Sequence, residues 1–243
     1  MIIEGRCFVN AGPVVVRGNL IIREGAALGA IFAFNDVTHS GASNLTVYGN
    51  VRIQNGGSLY MGCEPNFFTC KDDESNTAAS RDRVFGNIYA QQPLAVIIHD
   101  SLVAGNISES GGGGGDTAET CESEPPVYSD YEDLSVHGNV TIAGLESCWL
   151  GLARDRVSGS VRLVRDLLAD PDAIEVLSNK IVGNLSCHEN SRLWNSSEQE
   201  FESLFPREPQ PNEVNGNRSG QCVHSSPETQ EALEKGEFGS GSF

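Results

Sequence analysis

One short pattern recurs eight times along the chain. Each copy has a β-branched residue, a spacer, a glycine, and then asparagine or serine, and the copies begin at Val16, Val47, Val84, Val103, Val136, Val157, Ile181 and Val214. Successive glycines of the pattern are 31, 37, 19, 33, 21, 24 and 33 residues apart. The shorter spacings fit one coil of a solenoid, and the longer ones fit a coil that carries a surface insertion.

Apolar and polar residues alternate after each of these glycines. The residue two positions after the glycine is apolar in seven of the eight copies, and only Arg218 breaks the pattern. The seven are Leu20, Val51, Ile88, Ile107, Val140, Val161 and Leu185. The next position is polar in Arg52, Ser108, Thr141, Arg162, Ser186 and Ser219. A period of two indicates strands with one buried face. The sequence therefore predicts an all-β, single-domain, right-handed parallel β-helix with loop insertions, in which the eight β-branched residues form one buried column.

The length of the repeat region sets the predicted boundaries. We expect the β-helix to span residues 1–222, with insertions near residues 63–81, 109–131 and 188–212, and a mobile acidic tail over residues 223–243. The five successive glycines at 111–115 predict a flexible loop. In the third insertion, Trp194, Phe201, Leu204 and Phe205 have the spacing of one face of a short amphipathic helix.

The recurring Gly-Asn step has a structural explanation. Stacked coils place equivalent residues about 4.8 Å apart, so the asparagine side chains can hydrogen-bond along the helix axis. Glycine allows the bend between two strands. Asn106, Asn139 and Asn184 also begin glycosylation sequons, but the repeat generates these by itself. We interpret the asparagines as architectural.

Charge limits the partners of the chain. With 33 acidic and 16 basic residues, the net charge is −17. This charge disfavours nucleic acid and anionic membranes, and it leaves calcium, cationic surfaces and neutral glycans as partners. No segment approaches the roughly 20 apolar residues of a transmembrane helix, and the N-terminus lacks a signal-peptide pattern. The chain is therefore either cytosolic or an exported protein without its signal.

The seven cysteines suggest three disulfides. We predict the pairs Cys63–Cys70, Cys187–Cys222 and Cys121–Cys148, which leave Cys7 unpaired. The first pair would close a short protruding loop, and the second follows successive Gly-Asn steps. No C-x-x-C spacing is present, which argues against a zinc site. Disulfides would indicate a secreted or cell-surface protein. The alternative is small buried thiols in the narrow core of a cytosolic protein.

The densest polar and aromatic segment covers residues 127–133. We select as candidate ligand-binding residues Tyr128, Asp130, Tyr131, Asp133, Trp149, Asp100 and Asp155. Aromatic rings can stack on a sugar while carboxylates accept hydrogen bonds from its hydroxyls. Calcium is the alternative ligand, held by Asp100 with Asp133 or by the acidic run at 72–74.

Polar residues also recur four or five positions before the glycine. They are Asn44, Asp82, Asp100, Asp133, Asp155 and Asn179, and coils stacked in register would align them along one edge. Glycan-active enzymes use such carboxylates as acid and base. The alternative is a solvated row whose charges are balanced by adjacent arginines. The histidines share no spacing with a nucleophile, so no catalytic triad is indicated.

Five blocks of the chain resemble a family of uncharacterised, secreted actinobacterial β-solenoid proteins. They are GCEPNFFTCKDD at 62–73, SGGGGG at 110–115, PVYSDYED at 126–133, SCWLG at 147–151 and ADPDA at 169–173. This resemblance implies no activity. The V-x-G-N rhythm is more distantly similar to bactofilins, which are polymerising β-helices with neither long insertions nor cysteines, and the acidic row is similar to that of pectate-lyase-like enzymes.

The predicted function is that of an extracytoplasmic β-helix acting as a structural or ligand-binding module. Its ligand would be a saccharide or calcium, and its partner a cell-surface component. One alternative is a glycan-active lyase or hydrolase of the pectate-lyase-like type, for which no catalytic residue can be assigned. Another is a self-assembling scaffold that associates through its terminal coils.

Overall fold

The structure is a computed structural model that describes residues 1–123, 127–171, 173–195 and 211–224. Across these residues the chain forms a parallel β-helix with three faces. Each coil contributes one strand to each of three parallel sheets, so neighbours in a sheet come from successive coils. The fold class predicted from the repeat is confirmed.

The strands within the described ranges are short and repeat in a constant order. The first sheet has nine: Ile2–Ile3, Leu20–Ile22, Val51–Ile53, Ile88–Gln91, Ile107–Ser110, Val140–Ala143, Val161–Val164, Leu185–His188 and Arg218–Gly220. The second has eight: Arg6–Phe8, Ala27–Ala30, Ser58–Met61, Ala95–His99, Tyr128–Glu132, Trp149–Ala153, Ile174–Leu177 and Leu193–Trp194. The third has eight: Val14–Val16, Leu45–Val47, Arg83–Val84, Leu102–Val103, Ser135–Val136, Arg156–Val157, Lys180–Ile181 and Glu213–Val214.

A few short elements lie outside these sheets. Glu146–Ser147 pairs in parallel with Leu167–Leu168. An α-helix spans Ala118–Glu122, and a 3₁₀-helix spans Gln221–Val223. None of the helices in the described part of the chain combines the length and the hydrophobicity needed to cross a bilayer.

The predicted buried column is confirmed. In the third sheet, Val47 pairs with Val84, Val84 with Val103, and Val103 with Val136, so the repeats stack in register. Seven of the eight residues are buried, and Val214, in the last coil, packs against the core while partly buried. The core is therefore a stack of identical positions.

The turn between the third and first sheets, here called the Gly-Asn corner, is held by the predicted ladder. The Asn50 Oδ1 accepts the backbone N–H of Asn87 at 2.8 Å, and the Asn87 Oδ1 accepts that of Asn106 at 2.8 Å. Glycine is required beside the ladder, because a Cβ on Gly105 would lie 2.5 Å from the carbonyl oxygen of Gly86. The asparagines are thus architectural.

The insertions differ in extent from the predicted ranges. Residues 31–44 form an additional insertion between strands Ala27–Ala30 and Leu45–Val47. Strands Ile107–Ser110 and Tyr128–Glu132 occupy both ends of the predicted range 109–131, which leaves residues 111–127 as the connection. Residues 196–210 and 225–243 lie outside the described residues. The predicted helix through Phe201, Leu204 and Phe205 and most of the predicted tail fall there, whereas Trp194 lies in a strand.

The prediction that residues 111–115 form a flexible loop is wrong. All five glycines have positive φ, and their backbone is held between neighbouring coils. Gly113 donates its N–H to the Pro93 carbonyl at 2.8 Å, and Gly115 donates to Glu146 at 2.8 Å. Only glycine adopts this conformation without strain, so the run is explained by a tight corner.

All three predicted disulfides are present. Their Cα–Cα distances are 5.0 Å for Cys63–Cys70, 4.8 Å for Cys121–Cys148 and 5.4 Å for Cys187–Cys222. Cys7 is unpaired, as predicted, and it is exposed.

This pairing predicts the thiol content of the purified protein. We expect one reactive thiol per chain, that of Cys7, in the folded state and also after unfolding without a reductant. A thiol titration before and after unfolding measures this, and a Cys7→Ser variant should give none. Seven reactive thiols in the unfolded protein would contradict the disulfides.

Candidate functional site

The structure does not bring the predicted ligand-binding residues onto one surface. Tyr131 is only 1% exposed and points into the core, where its hydroxyl donates to the Glu109 Oε2 at 2.7 Å. Asp155 is buried where the second sheet turns into the third, and it accepts the backbone N–H of Leu134 at 2.9 Å. Because side chains alternate along a strand, Tyr131 faces inward when Asp130 faces outward.

The predicted single edge of polar residues is two separate rows. Residues four positions before the glycine, such as Asp82 and Asn179, are buried. Residues five positions before it, such as Asp100 and Asp133, lie at the bend with φ values of 36° and 54° and are partly exposed. A shift of one residue along the chain therefore separates a buried acid from a surface acid.

The buried row caps the backbone of the neighbouring coils. The Asp82 carboxylate accepts the N–H groups of Leu45 at 2.7 Å and Gly62 at 2.9 Å. Burial raises the pKa of Asp82 to about 7, although these two hydrogen bonds oppose the shift. Acids that are enclosed and engaged in this way stabilise the coils and do not reach a substrate.

The outward residues of the predicted site lie on the second sheet. Tyr128 and Trp149 are neighbours on adjacent strands, with ring centroids 5.7 Å apart and an interplanar angle of 65°. Gly151 makes room for the Trp149 ring, because a Cβ on Gly151 would collide with it. The same Cβ would also lie 2.5 Å from the Asp130 Oδ1. This oxygen has no hydrogen-bond partner among the described residues. Both rings are half-buried.

Next to this pair lies a buried cluster centred on His99, which sequence reasoning missed. The His99 Nδ1 lies 2.9 Å from the Glu64 Oε1, and its Nε2 lies 3.0 Å from the Asp130 Oδ2. Burial alone would lower the pKa of His99, but the hydrogen bonds to Asp130 and Glu64 outweigh it and raise the pKa to about 10. His99 is thus an imidazolium between two carboxylates.

Arg154 completes this histidine cluster. Its Nη2 lies 2.6 Å from the Glu132 Oε2, and its Nε lies 2.7 Å from the Asp133 Oδ2. The guanidinium sits 3.9 Å from the centroid of the Phe67 ring, and Phe68 stacks on His99 at 4.8 Å. The disulfide-closed loop therefore covers the cluster.

Three atoms of the cluster have the spacing of metal ligands. One ligand atom each from Glu64, His99 and Glu132 lies within 4.8 Å of the others. Asp130 would then orient the imidazole through its second nitrogen. A metal ion, however, requires an unprotonated imidazole nitrogen and carboxylates that no other cation occupies. Arg154 already bonds the Glu132 carboxylate, and the raised pKa of His99 favours the imidazolium, so the charges of the cluster are balanced by its own side chains.

The acids predicted to bind calcium have other partners. Asp100 pairs with Arg81 at 3.0 Å, and Asp133 pairs with Arg154. Asp72 accepts the backbone N–H of Ala33 at 2.8 Å. Hydrogen bonds lower the pKa of Asp73 to about 2, and the one from the Ser75 hydroxyl has the largest effect. The geometry therefore does not favour calcium at these residues.

A different surface carries exposed aromatic and basic side chains. It comprises the Gly-Asn corner and the adjoining outer faces of the third and first sheets, and we call it the basic-aromatic face. Its exposed residues are Arg17, Tyr48, Arg52, Arg83, Phe85, Tyr89, His137, Arg156, Arg162 and Lys180. They stand one or three positions before the repeat glycine or three positions after it, which places all of them on the outside.

Two rings are stacked on this face. The centroids of Tyr48 and Phe85 are 5.1 Å apart with an interplanar angle of 14°, and the residues are 57% and 44% exposed. Both immediately precede a repeat glycine. The Phe85 N–H donates to the Val47 carbonyl at 2.8 Å, which fixes the two residues one coil apart.

The ring column is interrupted in the next coil. Ala104 follows Phe85 in the same position, with its N–H bonded to the Val84 carbonyl at 2.8 Å, and His137 follows Ala104. Two coil spacings, about 9.6 Å, therefore separate the backbones that carry the Phe85 and His137 rings. We call the space above Ala104 the ring gap, because a ring there would be one coil from each neighbour.

Comparisons of the chain with protein-family models, with curated proteins and with solved structures found no match. The resemblances to actinobacterial solenoid proteins, to bactofilins and to pectate-lyase-like enzymes therefore stay predictions.

Proposed function

We propose that this protein is an extracytoplasmic β-helix that binds a saccharide on its basic-aromatic face. The observation that carries the proposal is the exposed Tyr48–Phe85 stack, which is held in register and followed by the ring gap above Ala104. Three disulfides support an oxidising location. The two exposed rings form one contiguous apolar patch and are not scattered single residues, which is the arrangement associated with binding.

The proposed contact uses the two surfaces of a sugar ring. The apolar C–H face of a pyranose packs on an aromatic side chain, while its hydroxyls need polar neighbours. A sugar above Ala104 would lie on the Phe85 ring and beside the exposed side chain of Asn106. The backbone there is part of a hydrogen-bonded ladder, so binding orders little of the chain and loses little entropy.

The Tyr128–Trp149 pair on the second sheet is the second candidate for the saccharide site. The unpaired Asp130 Oδ1 beside the Trp149 ring favours it, since a buried carboxylate oxygen ordinarily has a donor. Its rings are, however, less exposed than Tyr48 and Phe85. Fluorescence distinguishes the sites, because a ligand that contacts Trp149 changes tryptophan emission directly.

The enzymatic alternative has less support. Acids do converge near His99, but Glu132 is 5% exposed and the loop with Phe67 and Phe68 covers it. A general acid or base must come within hydrogen-bonding distance of its substrate. The histidine cluster is better explained as the attachment of that loop to the second sheet.

A truncation tests the aromatic stack. We expect Phe85→Ala to weaken saccharide binding about tenfold, which corresponds to about 1.4 kcal/mol. Binding is measured by calorimetry on ligands selected from an oligosaccharide panel. Phe34→Ala is the matched control, because Phe34 is also exposed but lies in the 31–44 insertion. Equal losses in the two variants would contradict the proposed site.

Filling the ring gap is a complementary test. We expect Ala104→Trp to block binding, because the new ring would occupy the place proposed for the sugar. Val182→Trp adds the same ring to the same column three coils further on, beyond the arginines of the sixth repeat, and should leave binding unchanged. Both positions are at the surface, so both variants should fold. Wild-type affinity in the folded Ala104→Trp variant would exclude the ring gap as the site.

A further inference from the structure

We infer that the ligand of the basic-aromatic face is an acidic polysaccharide, whose sugar carboxylates pair with the exposed arginines. This inference rests on the proposed saccharide function and adds the chemical class of the ligand. The sequence-based expectation of a neutral glycan came from the net charge of −17. The distribution of charge over the surface leads to a different conclusion.

Basic residues are concentrated on this face. Within the described coils, the three rows that form it contain one acidic residue, Glu213, which pairs with Lys180 at 3.3 Å. The five arginines of the face make no ion pair with any described residue, and they are Arg17, Arg52, Arg83, Arg156 and Arg162. A strongly acidic protein thus has one face with unpaired positive charge.

The net charge of the molecule does not prevent an anion from binding there. At physiological ionic strength the Debye length is about 8 Å, so acids on the opposite faces of the β-helix are largely screened. The five arginines act on a ligand at contact distance. Local charge therefore decides which ligand this face attracts.

The arrangement of the arginines fits a chain that lies along the solenoid axis. Arg17, Arg52 and Arg83 lie in the first three coils, beside the Tyr48–Phe85 stack. Arg156 and Arg162 lie on either side of the sixth repeat, beyond the ring gap. From the first repeat to the sixth is five coil spacings, about 24 Å. A polymer of several sugars could contact both groups of arginines while one ring fills the gap.

Guanidinium groups suit carboxylates in particular. The planar fork of arginine binds a carboxylate through two parallel hydrogen bonds, which a neutral hydroxyl cannot match. Exposed pairs of this kind are individually weak and sensitive to salt. Affinity for an acidic chain should therefore arise from several contacts and fall as salt is added.

The experiment compares ligands that differ only in charge. Oligomers of galacturonate and of glucuronate are titrated into the full chain, together with the same oligomers carrying methyl-esterified carboxyls. We expect the free acids to bind at least tenfold more tightly than the esters at low salt. The difference in affinity between acids and esters should shrink in 500 mM salt, where the ionic strength is about three times the physiological value and screening is stronger.

Variants assign this preference to the face. The double variant Arg52→Gln, Arg83→Gln should prefer the acids over the esters by a several-fold smaller factor than the wild type, because it keeps the Tyr48–Phe85 stack and removes two of the five charges. Arg6→Gln is the matched control, since Arg6 is exposed on the second sheet. Its preference for the free acids should equal that of the wild type. Unchanged melting temperatures would show that both variants fold.

The outcomes separate this inference from the proposed function. Equal binding of acids and esters by the wild type would overturn the acidic ligand and leave saccharide binding in place. Binding of neither these oligomers nor any neutral oligosaccharide of the panel would overturn both. Tighter binding of a single-stranded oligonucleotide than of any uronate would also overturn the inference, because the face would then recognise a nucleic acid.

Discussion

Replacing Val136 by aspartate is expected to unfold the β-helix. Val136 is fully buried in the middle of the stacked column, between Val103 and Val157. An uncompensated charge at such a site costs roughly 3–5 kcal/mol or more, and the total stability of a domain is about 5–15 kcal/mol. The lost valine packing adds to this cost. Circular dichroism and urea unfolding of the purified variant measure the effect.

The adjacent residue provides the control. Ser135 lies in the same strand, but its side chain points outward and is partly exposed. We expect Ser135→Asp to unfold at nearly the urea concentration of the wild type. If Val136→Asp cannot be purified, Val136→Ala should still be less stable by about 2 kcal/mol, as is typical when buried methyl groups are removed. Equal midpoints for the Val136 and Ser135 variants would contradict the buried column.

The second large effect is that stability should rise as the pH falls from 8 to about 5. Burial raises the pKa of Glu109 to about 7 and that of Asp166 to about 6. These acids bind a proton more tightly in the folded than in the unfolded chain, so the folded state loses relative stability as the pH rises through this range. One pKa unit corresponds to 1.36 kcal/mol, and Glu109 alone should contribute on the order of 3 kcal/mol.

His99 acts in the same direction at higher pH. Its pKa is raised to about 10, so its contribution is complete below the unfolded value near 6.5 and is lost as the pH rises towards 10. Asp73 sets the lower limit, because its pKa of about 2 gives stability that is lost in strong acid. We therefore expect the stability maximum at weakly acidic pH, measured as the urea midpoint at several pH values.

The Glu109→Gln variant tests the origin of this pH dependence. The Glu109 carboxylate accepts hydrogen bonds from Ser129 at 2.8 Å and Tyr131 at 2.7 Å inside the core, and an amide can replace it without a charge. We expect the variant to be more stable than the wild type at pH 8 and to show a flatter pH profile. Glu146→Gln, at an exposed position, should change neither. A wild-type protein that is more stable at pH 8 than at pH 5 would contradict the assignment of this pH dependence to Glu109.

Local pattern predicted the fold because every coil repeats the same constraint. Val84 and Val103 occupy equivalent places, and each is buried by the coil on either side, so the period of two appears directly in the sequence. The cysteine pairs were predictable for a related reason. Cys187 and Cys222 follow successive repeats, and the register of the coils brings them together.

The candidate site was predictable only in part, because it depends on shifts of a single residue. Tyr131 and Asp130 are adjacent in the chain, yet one lies in the core and the other bonds to His99 outside it. The strand boundary decides which residue faces inward, and sequence pattern locates such boundaries least accurately. The histidine cluster was missed because loop residues Glu64, Phe67 and Phe68 meet the second sheet far from their place in the chain.

The basic-aromatic face shows what each level of structure decides. The sequence alone determined that the residues beside each repeat glycine alternate between core and surface, since this follows from backbone geometry and burial. Stacking of the coils decided that Tyr48 and Phe85, 37 residues apart in the chain, become neighbours 5.1 Å apart. Insertions of different length separate the repeats in sequence, and the hydrogen bonds between coils remove that separation in space. A binding surface built across coils therefore exists only in the tertiary structure.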